Sequence, residues 1–468
     1  MKRTFLLGSL LAVISLVHAQ GDEATNKRII DIGKNRNGTM ALLDELSHKI
    51  GARLTSSDSL QNAMNWSMKK FKQFGCVNVH TEQWGEWPVG FQRGQKQSAR
   101  MTSPWKLEFE FTSPSWTPGT DGPMKGPAVA APTTMEEFNA VKDKLKGAWM
   151  VSKTAPPRGS ATATPTELDA AINASGILGR VYGSRNELVI TSGSYNITWD
   201  KLPTQRRVMV RKSDIDNIFL ALDAKRQVEL EIEMEQKFLP GPRKNAIVVA
   251  EIPGTEKPDE VVIVGGHLDS WDGPRSQGAL DNGTGSCVAL DAARILGMAK
   301  AKPKRTIRFI LWTGEEQGLF GSRWYVEAHK AELSKISAVF IDDGGTNYQG
   351  GLTCTPEMEP MLRQAQAPLA GVFPELPFEI RTAARIPSGG GSDHAPFNAV
   401  GVPGFFWFET GRSDYNFVHH TQHDRFEKAI PEYLVQSSTN SAIMTYNLAC
   451  AEKLLPRNPI PGTTGGGG

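Results

Sequence analysis

Hydrophobic positions along the chain follow two different periods. After Ser59, Leu60, Met64, Met68, Phe71 and Phe74 recur at three- and four-residue spacing, which predicts an amphipathic helix that Gly75 can stop. A shorter helix is expected over Thr39 to Ile50, with Leu42, Leu43 and Leu46 on one side. From about Gly85 to Pro240 this period fades and Trp, Pro, Gly and Thr become frequent. Short strands are expected there at Ala148 to Val151, Leu188 to Thr191, Val208 to Val210 and Val228 to Met234. In the last of these Val228, Leu230, Ile232 and Met234 alternate with polar residues, so one face is buried and the other wet. Ser213 to Leu222 reads as a helix with a serine cap.

From Asn245 onward apolar strands alternate with helices. Strands are expected at Ala246 to Ile252, Val261 to Val264, Thr306 to Trp312, Ser337 to Ile341 and Phe405 to Phe408, and helices at Gly285 to Lys300, Phe320 to Ala331 and Pro431 to Leu455. This order argues an α/β fold with helices on both faces of a largely parallel sheet. The shift in texture divides the chain into a discontinuous catalytic domain, 20–99 and 240–456, and an inserted β-rich domain, 100–239. Leu239-Pro240-Gly241-Pro242 serves as the return linker. The tail from 457 to 468 ends in four glycines and is expected to be disordered.

The chain has 468 residues, enough for two domains. With 52 basic against 50 acidic residues, nothing suggests nucleic acid or an anionic membrane as a partner. Lys2 and Arg3 precede an apolar run from Phe5 to Val17 and a small-residue site at Val17-His18-Ala19. Residues 1–19 therefore read as a signal peptide, and the protein as exported, periplasmic or secreted, with no membrane attachment after cleavage. Cys76, Cys287, Cys354 and Cys450 lack paired spacing, so free buried thiols, or at most one or two bridges, are expected.

In open α/β sheets ligands sit outside the carboxyl ends of the strands. That is where His267, Asp269, Asp281, Glu315, Glu316, Asp342 and Asp343 fall. Each acid alone is an ordinary turn residue. Together, strand ends of one sheet converge and place several carboxylates close enough to repel unless a cation lies between them. Oxygen and imidazole donors without thiolates suit zinc, or less often manganese or cobalt.

These residues also resemble a known family. Asn245 to Asp424 is similar to the co-catalytic zinc exopeptidases of the bacterial leucyl-aminopeptidase type, most closely their carboxypeptidase Q branch. The similarity rests on GHLDSWDGPRSQGALDNGTG at 266–285, LWTGEEQGLFGS at 311–322, DDGGT at 342–346, SDHAPF at 392–397, GVPG at 401–404 and HHTQHD at 419–424. The resemblance implies a three-layer αβα fold with a mixed, largely parallel sheet, and a protease-associated-like inserted domain. It implies two zinc ions per chain. His267 and Asp343 would hold one, Glu316 and His420 the other, and Asp281 would bridge them. Glu315 would be the general base, and Asp269 would hold the second ring nitrogen of His267.

The resemblance further implies small peptide substrates and leaves a homodimer open. Aminopeptidase and dipeptidase action both fit. Two other classes share this type of fold: single-zinc glutaminyl cyclases, and receptor-like binding proteins that have lost the ligands. The full ligand set argues against both. A serine hydrolase is excluded, because Gly390-Gly391-Ser392-Asp393-His394 lacks the closing glycine of a nucleophile elbow.

Overall fold

The computed structural model describes residues 19–155, 166–387 and 391–460. The signal segment, apart from Ala19, and most of the glycine tail therefore lie outside the described residues, as do Gly389 and Gly390 of the glycine-rich loop.

Helix α1 (Glu23–Asn35), which the sequence reading missed, starts where the Asp22 carboxylate accepts the Thr25 backbone N–H at 2.8 Å. The expected helix after Thr39 runs to Asp44 and continues as a wider π-helical turn, Glu45–Ile50. Helix α2 (Asp58–Gln73) follows, with Ser57 as its cap. Strand β1 (Val77–Ser103) then leads into the inserted segment. There the strands are β2 (Met124–Ala130), β3 (Trp149–Ser152), β4 (Gly179–Gly183) and β5 (Arg207–Val210), with a helix over Lys212–Asp223. Strand β6 (Glu229–Ile252) returns the chain. The remaining elements used below are β7 (Lys257–His267), α3 (Thr284–Met298), β8 (Arg305–Trp312), α4 (Phe320–Ala328), β9 (Ile336–Ile341), β10 (Gly404–Phe406) and α5 (Pro431–Cys450).

One mixed sheet runs through the molecule in the order β10-β9-β7-β8-β6-β2-β3-β4-β5. The β7 pairings with β8 and β9 are parallel, as are β9 with β10 and the β2-β3-β4-β5 run. β6 is antiparallel to β1, β2 and β8. Its first part carries β2 and its last part carries β8, so a single strand joins the two regions.

That continuity corrects two expectations. Leu239-Pro240-Gly241-Pro242 is part of β6, not a linker between strands, because β1 pairs alongside it and shifts register at Trp87/Val89 to accommodate the proline. Leu188 to Thr191 is not a strand. Val189 and Thr191 are buried while Ile190 is exposed, which imitates strand alternation, but the Thr191 N–H is spent on the carbonyl of His420. The helix expected at Ser213 has Arg211 as its cap residue, and the final helix stops at Cys450, five residues short of the expected Leu455.

Alternate residues of the core strands enter opposite layers. Val262, Val264, Ile307, Phe309 and Phe340 pack with Leu290 of α3 and Ile443 of α5. Val261, Ile263, Ile310, Val339 and Ile341 pack with Tyr325 and Val326 of α4 and with Phe397. Full burial of each such side chain contributes about 1.5–3 kcal/mol relative to exposure. The result is an α/β sandwich with helices on both faces of a largely parallel sheet. Residues of the inserted segment, including Trp149, Val181, Val208 and Ile218, make a separate hydrophobic cluster. All four cysteines are free and buried.

Candidate metal centre

Strand β7 ends in Gly265-Gly266-His267, and the glycines let other backbone come close. A side chain at Gly265 would put its Cβ 2.0 Å from the Ile310 carbonyl oxygen, and one at Gly285, in the first turn of α3, would lie 2.1 Å from the Asp342 oxygen. This close approach brings Asp281, just before α3, beside His267. The parallel register sets Trp312 of β8 opposite His267 and Ile341 of β9 opposite Gly265, so Glu315-Glu316 and Asp342-Asp343 emerge at the same edge.

Nε2 of His267 lies 3.1 Å from Oδ1 of Asp343, 3.4 Å from Oδ1 of Asp281 and 3.9 Å from Oε2 of Glu315. Nε2 of His420 lies 2.9 Å from Oε2 of Glu316 and 3.4 Å from Oδ2 of Asp281. The two oxygens of Asp281 therefore face two different histidines. Oδ2 is buried and accepts no hydrogen bond. Among the described residues two groups could hold a metal ion, His267-Asp281-Asp343 and Asp281-His419-His420, and Asp281 belongs to both. His419 stacks on His420 with ring centroids 3.7 Å apart, but its Nε2 is 3.9 Å from Asp281.

Asp269 meets the second ring nitrogen of His267 through its backbone and not its carboxylate. Nδ1 of His267 meets the backbone carbonyl of Asp269 at 2.9 Å, while the nearer carboxylate oxygen is 3.7 Å away. The carboxylate instead accepts the Thr55 hydroxyl at 2.9 Å and the backbone N–H groups of Glu315 and Glu316 at 3.4 and 3.3 Å. It therefore holds the turn that presents the two glutamates.

Several further residues shape the centre. The Arg53 guanidinium, fully buried, donates to the carbonyls of Leu268, Gly51, Gln277 and Gly278 and braces the segment between His267 and Asp281. Asp424 accepts the Leu280 N–H at 2.6 Å. The Trp271 N–H donates to Glu316 at 3.1 Å, and its indole meets His420 edge-on. The inserted segment reaches the same place, since Thr191 N–H donates to the His420 carbonyl at 2.8 Å. Arg53 carried no motif in the sequence; a lone arginine between Ala52 and Leu54 was its only signal.

Charge here is unbalanced. Burial pushes the Glu315 and Glu316 carboxyls well above their ordinary range, with the Asp281 charge adding to the effect at Glu316. Burial also raises Asp342 and Asp424 to about 7 and Asp393 to about 8. Asp281 goes the other way: burial opposes ionisation, but hydrogen bonding to His267 and the histidine charges hold it at about 2. Burial would lower His267, yet the charges of Asp343 and Glu315 lift it well above the usual imidazole value. Among the described residues every ion pair of Asp269, Asp281, Glu315, Glu316 and Asp343 is with a histidine. Such a carboxylate group is stabilised by divalent cations, and its oxygen and imidazole donors fit zinc.

Residues 247–444 match the model of peptidase family M28. Among the chain's relatives is carboxypeptidase Q. The Mus musculus protein is 28% identical over 453 residues, covering 93% of this chain and 91% of its own length. The Homo sapiens protein is 28% identical over 454 residues, covering 94% and 91%. Two solved structures share the fold. The M28 peptidase precursor from Shewanella amazonensis is 24% identical at a TM-score of 0.66 and covers 94% of this chain and 98% of its own. A zinc aminopeptidase from Bacillus subtilis is 20% identical at a TM-score of 0.55, covering 89% and 98%.

Proposed function

We propose that this peptidase is an exported di-zinc exopeptidase of the carboxypeptidase Q type that removes residues from the ends of small peptides. The observation that carries the two-ion reading is Asp281, whose Oδ1 faces His267 while its buried, unpartnered Oδ2 faces His420. His267 and Asp343 would hold one ion, Glu316 and His420 the other, and Asp281, which faces both histidines, would serve both. Zinc bound there would supply a Lewis acid for the scissile carbonyl and acidify the attacking water to near-neutral pH.

The chain's own groups do the rest. Glu315, buried beside His267 at the strand ends, takes the proton of the attacking water and returns it to the leaving amine. Asp269 positions Glu315 and Glu316 through their backbone N–H groups, and its carbonyl fixes which nitrogen of His267 faces the metal. The inserted segment, 100–239, is a protease-associated-like domain that restricts the cleft to short or flexible chains.

Similarity to carboxypeptidase Q over nine tenths of the chain favours recognition of the carboxyl end. The test is hydrolysis of dipeptides and longer peptides, free or blocked at each end, with zinc counted per chain. Loss of cleavage on amidating the carboxylate, at two zinc per chain, supports the reading. Loss only on blocking the amine makes the enzyme an aminopeptidase, and one zinc per chain overturns the two-ion site.

A further inference from the structure

A second charged feature lies behind the segment that carries Trp271, and its sign is opposite. A cavity of about 360 Å³ is lined by Lys49, Arg93, Arg275 and Arg425, with Asp272 as its one carboxylate. Asp272 is already engaged. Its Oδ1 accepts the Ser115 hydroxyl and lies 3.4 Å from the Arg93 guanidinium. Arg425 pairs with Glu427 at 2.7 Å. Lys49 and Arg275, both exposed at the rim, have no ion-pair partner among the described residues.

The deepest cation is built in. The Arg93 side chain is 4% exposed and donates to the Ser113 hydroxyl at 2.7 Å, the Ser113 carbonyl at 2.9 Å and Gln236 at 2.9 Å. These contacts hold its fork in place and leave the buried Nε without an acceptor. A buried guanidinium N–H with no acceptor is costly, and a fixed fork suits an oxyanion. A concave, low-dielectric wall of one sign also concentrates counter-ions.

We propose that this cavity is a binding site for a small tetrahedral oxyanion, free or esterified, distinct from the acidic centre. Arg93 supplies fixed positive charge at the base, and Lys49 and Arg275 close over the anion from the rim. The segment Asp272 to Gln277 separates the two sites. It is tied to the centre through the Gln277 N–H, which donates to the Asp424 carbonyl at 2.8 Å.

Calorimetric titration of the metal-loaded full chain tests this, using inorganic sulfate in one arm and glycerol 2-phosphate in the other, at ionic strength held constant with chloride. Saturable one-to-one binding is expected in at least one arm, and the tighter arm tells whether the ligand is free or esterified. The double variant Lys49→Glu, Arg275→Glu should weaken it at least tenfold with an unchanged circular dichroism spectrum. If that variant is misfolded, Arg275→Gln alone should weaken binding severalfold. Absence of saturable heat in both arms overturns the proposal, as does binding that is unchanged in the folded variant, since the ion would then sit elsewhere.

Discussion

At the start of β8, Arg305 pairs with Glu260 at 2.6 Å, Arg308 pairs with Glu251 at 2.7 Å, and Lys304 pairs with Glu452. At the other end of the same strand, seven residues on, the chain enters a group of buried carboxylates whose ion pairs are all with imidazoles. The same sheet thus carries one edge whose buried arginines have fixed acidic partners and another in which acids outnumber bases. Evolution toward stability alone would treat the edges alike, because uncompensated buried charge costs several kcal/mol per group, as an order of magnitude. The difference marks the carboxyl edge as built for a ligand, and divalent cations would restore its balance.

Breaking the acidic edge should have the largest effect. Asp281→Asn removes one charge from a group that faces both halves of the site, so zinc content should fall toward zero per chain and turnover should become undetectable. A variant that loses only one ion, or that still turns over, would show that Asp281 is not shared. Glu315→Gln should leave zinc content near that of the wild type while kcat falls by about 10²–10⁴, the usual worth of a positioned acid-base group. Near-native turnover in that variant would remove Glu315 from the proton transfer.

Chelation sharpens the comparison without mutation. Because the acidic edge is stabilised by what it binds, removing metal should lower the unfolding temperature, and added zinc should restore it. A ligand at 100 times its Kd contributes roughly 2.7 kcal/mol. A melting temperature indifferent to chelator would mean that the carboxylates are accommodated without cations.

The acidic edge was legible in the sequence because its signal is local. His267, Glu315, Glu316 and Asp343 each follow an apolar run of four to eight residues, and a parallel sheet brings such ends together. The later loop with His420 could be tied to them only through family resemblance, since no periodicity predicts which loop returns to the site. Which atom of Asp269 meets His267 was hidden for a related reason: a side chain and a backbone carbonyl two residues from a histidine are alike in sequence, and here the carbonyl makes the contact. The β1–β6 ribbon was hidden because Pro-Gly-Pro normally ends a strand, and only long-range pairing with β1 shows that it continues. Arg53 stayed invisible because its partners are carbonyls, which have no residue identity.

At the paired edge, Arg305 is the sharpest test. Its side chain is 1% exposed, and besides Glu260 it donates to the carbonyls of Ala451 and Glu452. Arg305→Met should cost about 3 kcal/mol in urea unfolding, because it leaves buried acceptors without donors. Zinc content and kcat of the folded fraction should not change. A loss of zinc in that variant would mean that the two edges are coupled and the contrast between them is false.

The smallest effect is one of pH. His329 meets Glu82 at 2.8 Å, tying the region after α4 to β1. Its hydrogen bond to Glu82, against the opposing effect of burial, raises the His329 pKa. Burial would raise Glu82, but hydrogen bonds from His329 and His80 outweigh it and lower the value. The imidazole's contribution is fully present below its unfolded value of about 6.5 and is lost as pH rises through the higher folded value. The carboxylate's contribution is present above about 4.3 and is lost as pH falls through its lowered folded value. The pair therefore stabilises most between those two limits. In urea unfolding, the stability difference between wild type and His329→Gln should be greatest near pH 5.5 and shrink steadily toward pH 9. A difference that is constant with pH, or that grows on the alkaline side, would show that this contact is packing and not charge.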